Sequence, residues 1–318
     1  MKLSKNLKQI KGDASFRSFF RNKKKNLSSI IIYAKREKKL NLLIYDTINK
    51  ILIKNNILAP KLINENYSKN FIEVQDFGNQ TVFQLLKKNS KNKLLIFKKI
   101  IKLLGKIQLI KDRKMINFKK QNYIIPKYSF KILFEEAKLF SNWYVPQKMP
   151  QTNQSQFKKD YEKVIKVLIK KISLKNDVLV HRDFHVSNLM LVSNHIAVID
   201  SQDALIGNKA YDLASLIDDV RIKTSKSFKK KIYDLYISKQ RKIDKRKFKN
   251  DFEILSILRN LKILGIFTRL ATRDKKKNYL KLIPYTWSLI NLRINKNKIF
   301  IDLKKLLNQN FKERLNEN

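Results

Sequence analysis

The stretch His181-Arg182-Asp183-Phe184-His185-Val186-Ser187-Asn188 (HRDFHVSN) follows directly on the apolar run Val178-Leu179-Val180 and holds two of the chain's three histidines. Leu189 to Val192 comes next. Twelve residues past Asn188, Asp200 closes a second apolar run, Ile196-Ala197-Val198-Ile199. The pattern reads as strand, polar loop and a pair of short strands. Asp and Asn also cap ordinary turns, because their short side chains bond nearby backbone, and the eight residues alone admit that reading. Asp200 weighs against it. An Asp and an Asn on one loop, with a second Asp at an adjacent strand end, place three oxygen-bearing side chains on rigid supports. His181 reads as a residue that holds backbone, His195 as a turn residue, and His185 is open.

Working outward, the segment before this loop is first strand-like and then helical. Phe16 to Arg21 is aromatic-rich, Asn22 to Asn26 is a polar turn, and Ile30-Ile31-Ile32-Tyr33 is β-branched, which predicts a hairpin. Asn41 to Asn55 carries helical spacing of Leu42, Leu43, Ile48, Leu52 and Ile53. Ala59 to Ile63 and Phe71 to Val74 read as two more strands, ending in Gln75-Asp76-Phe77-Gly78, where glycine permits a change of direction. Beyond Gly78, amphipathic helices are predicted over 81–88, 94–110, 130–143 and 157–172, and a strongly apolar one over 252–270. Strands first and helices afterwards, with no repeat and no Pro/Gly/Ser linker, indicate an α+β chain of two lobes. A cleft between such lobes is a common place for a ligand.

Composition bounds the rest. The 318 residues are 43% hydrophobic and 10% aromatic, enough for real cores. Cysteine is absent, which removes disulfides and thiolate metal sites. The start of the chain shows no continuous apolar stretch of a secretory signal, and no run approaches the ~18 apolar residues that span a bilayer. A cytoplasmic protein is expected. The net charge of +45 raises the question of nucleic acid. However, the lysines are spread over the whole chain alongside abundant Ile and Asn, the mixture that A/T-rich codons produce, and nucleic acid is not expected as a partner. A positive field would still attract an anionic small substrate.

The chemistry that uses Asp183, Asn188 and Asp200 together is phosphoryl transfer. It needs a carboxylate to orient and deprotonate the attacking hydroxyl, and hard oxygen ligands for Mg²⁺ on the nucleotide phosphates. HRDxxxxN has the spacing of a kinase catalytic loop, with the Asp as base and the Asn on metal.

Further segments carry a family resemblance. Gly12-Asp13-Ala14-Ser15-Phe16-Arg17, Glu73 to Gly78 (EVQDFG) and Glu136 to Tyr144 (EAKLFSNWY) precede the loop. Asp200 to Ala204 (DSQDA), Ala210 to Leu216 (AYDLASL) and Arg259 to Gly265 (RNLKILG) follow it. With these in order along nearly the whole chain, the sequence resembles the aminoglycoside-phosphotransferase-like kinases. Within them it is similar to the bacterial kinases that phosphorylate the anomeric hydroxyl of N-acetylmuramate and N-acetylglucosamine. The resemblance implies a two-lobed protein-kinase-like fold. A small β-rich nucleotide-binding lobe would span residues 1–78 and end in a hinge, and a larger, mainly helical catalytic and substrate lobe would span 79–318. It implies ATP and Mg²⁺ as cofactors, with Asp183 as catalytic base and Asn188 and Asp200 on the metal. Gly12, Ser15 and Arg17 would serve the phosphates, Gln75 and Phe77 the adenine through backbone groups, and Glu136 and Asp203 the sugar. Asp212 would anchor the catalytic loop.

Some alternatives stay open. Arg17 adds charge to the phosphates or points away, Glu136 touches sugar or is solvated or salt-bridged, and Arg259 and Lys262 face the cleft or solvent. There is no three-glycine loop and no lysine-bearing VAIK strand. Lys35 is the nearest substitute, although the sugar-kinase pattern does not require one. Ser201 stands where an aromatic residue is expected. The implied product is a sugar 1-phosphate that a nucleotidyltransferase could use. The rival readings are a kinase of another small alcohol, aminoglycoside- or choline-like, and a basic nucleic-acid-associated protein with a degenerate kinase fold.

Overall fold

The computed structural model describes residues 7–10, 17–24, 27–88, 92–295 and 297–316. Two compact units divide the chain. The first comprises Met1–Pro126 and Val178–Ile206, the second Lys127–Asp177 and Gly207–Asn318.

The first unit is built on an antiparallel five-stranded sheet in the order β1-β2-β3-β5-β4, formed by β1 (Leu7–Ile10), β2 (Ser18–Lys24), β3 (Leu27–Tyr33), β4 (Leu62–Asn66) and β5 (Phe71–Gln75). Phe19 pairs with Ile32, Ile32 with Ile72 and Ile30 with Val74. Side chains alternate along a strand, so these five residues share one face. Helix α1 (Leu40–Lys54) covers that face, setting Leu42 and Tyr45 against Ile32, Ile72 and Val74. Each such aliphatic side chain, once fully buried, contributes about 1.5–3 kcal/mol.

The opposite face of the sheet explains why the hairpin departs from the sequence expectation. Asn22 to Lys24 are strand rather than turn, paired with Ser29, Ser28 and Leu27. Asn22 Nδ2 donates to Glu73 Oε1 at 3.2 Å, and Ser29 Oγ donates to the same oxygen. This polar ladder across three strands outweighs the turn propensity of the NKKKN run. Strand β4 likewise begins later than expected, at Leu62, because Pro60 has no N–H for a ladder and its carbonyl instead accepts from Asn49 Nδ2 at 3.0 Å.

Helices α2 (Val82–Lys88) and α3 (Lys93–Leu109) follow, then the short pair β6 (Lys114–Ile116) and β7 (Asn122–Ile124). The chain re-enters the first unit along β8 (Asn176–Val180). It forms the hairpin β9 (Leu189–Val192) and β10 (His195–Val198), with Leu191 opposite Ile196, and departs along β11 (Leu205–Asn208).

The second unit is helical: α4 (Phe130–Leu139), α5 (Gln151–Lys170), α6 (Ala210–Ile217), α7 (Lys226–Ser238), α8 (Lys245–Thr272), α9 (Ile283–Ile294) and α10 (Ile301–Asn316). Ser129 caps α4 by accepting from the Ile132 N–H, and Asp244 caps α8 by accepting from Arg246 and Lys247. The helix expected over 130–143 is α only to Leu139. It then widens into a π-type turn over Phe140–Tyr144, which carries Phe140 and Tyr144 into an aromatic core with Phe157, Tyr161, Trp287 and Phe311. The apolar 252–270 segment forms the inner part of α8. At Gly265 that helix approaches α4 so closely that an added Cβ would lie 2.2 Å from the Leu139 carbonyl carbon and oxygen. Among the described residues no helix is long and apolar enough to cross a membrane.

Candidate active site

The HRDFHVSN loop is tied to the β9–β10 hairpin at fixed points. His181 is buried, and its Nε2 lies 3.0 Å from the Ile199 carbonyl, while the Ile199 N–H donates to the Asn188 carbonyl at 3.0 Å. Within the loop, the His185 N–H donates to the Asp183 carbonyl and the Asn188 N–H to the His185 carbonyl, both at 2.9 Å. The Asn188 amide nitrogen donates to the Asp183 carbonyl at 3.1 Å. That commitment leaves Oδ1 as the Asn188 atom able to serve a cation. Arg182 and Asp200 hold left-handed backbone conformations, φ 71° and 67°. Such conformations are costly for residues with a Cβ and tend to mark functional sites. His181 is thus a backbone fastener, as expected, and exposed His195 opens strand β10.

Beside this loop the first unit carries a half-open cavity of about 530 Å³. Phe19, Ile30, Ile32, Val74, Met190 and Ile199 make an apolar wall, and Asn188 and Asp200 bring oxygen donors to it. The segment Gln75 to Gly78 forms another part of the lining, with Gly78 at φ 81°. Arg21, which sequence reasoning passed over, braces this edge. Its Nε donates to Asp76 Oδ2 at 2.6 Å, and its Nη2 donates to Asp76 Oδ1 at 3.0 Å and the Gly78 carbonyl at 2.9 Å. Burial alone would raise the Asp76 carboxyl, but hydrogen bonds from Arg21, Gly78 and Ser28 outweigh it and hold the group below its ordinary range. The available signal was an arginine inside an aromatic-rich strand and an Asp in the Gln75–Gly78 segment.

Arg17 is turned inward and is only 6% exposed. Its Nη2 forms an ion pair with Asp200 Oδ1, and its Nη1 donates to Gln202 Oε1 at 2.7 Å. The guanidinium carbon lies 5.4 Å from the Phe19 ring centre and 6.0 Å from that of Tyr45. Burial pushes the Tyr45 hydroxyl up to about 12, so it stays a neutral hydrogen-bonding group here. Gln202 Nε2 donates to Asp203 Oδ2 at 2.9 Å, and Arg182 Nη1 to the Asp203 carbonyl at 3.3 Å. Half-exposed Asp203 therefore sits beside Asp200 on a braced loop. Ser201 is fully buried and donates to Asn49 Oδ1 of α1 at 2.7 Å. Gly12 and Ser15 lie outside the described residues. Lys35 is exposed past the end of β3.

Among the described residues no three His, Cys, Asp or Glu side chains gather as a metal cage. A Mg²⁺ on nucleotide phosphates needs only one or two protein oxygens. The donor set of Asp200 and Asn188 fits that ion, and the Arg17 guanidinium already places positive charge on Asp200.

In the second unit, Glu136 accepts from Lys262 Nζ at 2.8 Å and from the Tyr128 hydroxyl, and its side chain is 12% exposed. Glu136 is thus salt-bridged rather than solvated. Arg259 and Asp212 are buried.

The profile described as the phosphotransferase enzyme family matches residues 6–247. The chain is 28% identical over 281 residues to the N-acetylmuramate/N-acetylglucosamine kinase of Neisseria meningitidis serogroup B, covering 86% of this chain and 80% of that protein. It is 26% identical to the same-named kinase of Pseudomonas putida, covering 93% of this chain and 85% of that one. The fold is similar to that of the streptomycin–ATP–APH(2″)-IIa ternary complex, at a TM-score of 0.58 and 15% identity, over 87% of this chain and 93% of the other.

Proposed function

The chain belongs to the phosphotransferase enzyme family, and on that premise we propose that it transfers the γ-phosphoryl group of ATP to the anomeric hydroxyl of N-acetylmuramate or N-acetylglucosamine. The observation that carries the reading is the presence of Asn188 and Asp200 in the lining of a half-open, mainly apolar cavity, with Asp183 fastened to Asn188. The names of the relatives support the sugar as acceptor.

In this reading the adenine lies against the apolar wall and meets backbone groups of Gln75 and Phe77. Asn188 and Asp200 hold Mg²⁺, which supplies charge neutralisation at the phosphates. Asp183 orients the sugar hydroxyl and takes its proton as the new O–P bond forms and the bond to ADP breaks. Asp203 offers a half-exposed carboxylate to sugar hydroxyls, and Glu136 is assigned to the sugar on the family resemblance alone. Gly12 and Ser15 are assigned to the phosphates on sequence alone. The product, a sugar 1-phosphate, is a substrate for a nucleotidyltransferase, and its need for ATP fits a cytoplasmic setting.

The test is incubation with ATP, Mg²⁺ and a panel of N-acetylmuramate, N-acetylglucosamine, glucosamine, choline and aminoglycosides, followed by mass spectrometry. A singly phosphorylated N-acetyl sugar with an acid-labile anomeric phosphate is expected. No turnover of any sugar overturns the reading, and turnover of choline or an aminoglycoside alone would keep a kinase but replace its acceptor.

A further inference from the structure

The cavity raises a problem of charge. β3 carries Ile30-Ile31-Ile32 where a phosphate-binding lysine would be sought, and Lys35 is exposed beyond its end. Arg21 is committed to Asp76 and the Gly78 carbonyl. The buried cation beside the metal-binding candidate Asp200 is Arg17, and it is already on that carboxylate.

We propose that Arg17 is a resident counter-ion for Asp200. In the nucleotide-free protein its guanidinium occupies the carboxylate that a divalent cation takes on loading, and loading releases it to the polyphosphate. The inference rests on the kinase reading above and adds a residue that couples metal and nucleotide binding. Two features make the exchange feasible. First, the Asp200 side chain is only 28% exposed and lines an apolar cavity, so a cation beside it is favoured until the metal arrives. Second, Arg17 has supports besides Asp200: Gln202 Oε1 at 2.7 Å and the faces of Phe19 and Tyr45. These keep the guanidinium near the cavity wall when the carboxylate changes partner, and a planar guanidinium suits phosphate oxygens as well as carboxylate oxygens.

Such an exchange has an opposite-sign signature that a merely structural arginine lacks. In Arg17→Gln, Asp200 is unopposed. Mn²⁺ binding to the nucleotide-free protein, read by paramagnetic resonance of free Mn²⁺, should tighten roughly tenfold, while ADP binding with Mg²⁺, read by titration calorimetry, should weaken roughly tenfold. Arg17→Lys should fall between wild type and Arg17→Gln in both. Weakening of both ligands together, or unchanged Mn²⁺ affinity, overturns the proposal. A second variant covers a folding failure of Arg17→Gln. Asp200→Asn releases Arg17, so ADP in excess EDTA should bind severalfold tighter than to wild type, and equal or weaker binding overturns the hand-off. A wild-type protein that binds no nucleotide under any condition would remove the kinase reading itself, and the hand-off with it.

Discussion

Ser201 Oγ donates to Asn49 Oδ1 at 2.7 Å, joining the loop that follows Asp200 to helix α1 across 152 residues of chain. Both side chains are buried, and Asn49 spends its amide nitrogen on the Pro60 carbonyl. A serine at position 201 is therefore matched to an asparagine on α1, and the pair sets the distance between helix and loop. Ser201→Ala leaves the Asn49 carbonyl buried and unpaired and should cost about 1–3 kcal/mol in urea unfolding. Ser201→Phe must also find volume in a filled site and should cost more. A double-mutant cycle with Asn49→Ala should return a coupling of about 1 kcal/mol, and additive effects would refute the pairing.

Asp183→Asn removes the proposed proton acceptor without removing bulk. A drop in kcat of about 100- to 10,000-fold is expected, with nucleotide affinity unchanged, as measured by coupled ADP release and calorimetry. Near-wild-type kcat would remove Asp183 from the mechanism.

The second unit holds a largely buried ion cluster. Arg293 Nε and Nη2 each donate to an Asp218 oxygen at 2.9 Å, Lys229 Nζ lies 3.2 Å from Oδ1, and Ser256 Oγ donates to Oδ2 at 2.6 Å. Burial alone would raise the Asp218 carboxyl, but the Arg293 and Lys229 charges outweigh it and hold the group far below the carboxylate range. The folded pKa is below the unfolded one. The contribution is therefore complete above the unfolded value near ~4 and is lost as pH falls from there toward the folded value. Thermal melts should show the wild type losing stability below that point. Arg293→Met removes two donors from Asp218 and leaves it Lys229 and Ser256, so a loss of about 2–3 kcal/mol at neutral pH is expected.

Gly265→Ala tests the helix contact directly. The new methyl would meet the Leu139 carbonyl at 2.2 Å and the Phe140 nitrogen at 2.7 Å, and backbone cannot rotate away as a side chain can. A loss of about 3 kcal/mol or more is expected from chemical denaturation, outweighing alanine's better helix propensity of about 1 kcal/mol.

The sequence by itself determined the local order. Period-2 and period-3.6 apolar patterns located α1, β5, β9 and α8 to within a few residues of their ends, apart from the outer turns of α8, because burial of one face is written into residue spacing. HRDFHVSN with a following strand-end Asp pointed to the loop beside the cavity, because Asp183, Asn188 and Asp200 lie within 18 residues of one another. The hairpin was misplaced where local propensity competed with a ladder. Asn22 is a turn former until Glu73, 51 residues away, accepts its hydrogen bond.

Only the tertiary structure decided the partners of Arg17, Ser201 and Glu136. Each could satisfy its polar atoms in more than one way along the chain, and the choice went to groups 183, 152 and 126 residues distant. Spacing reports which face a residue occupies, and nothing in it reports which distant face will be folded against it. A buried charge takes whichever counter-charge the packed core delivers. For Arg17 that counter-charge is Asp200.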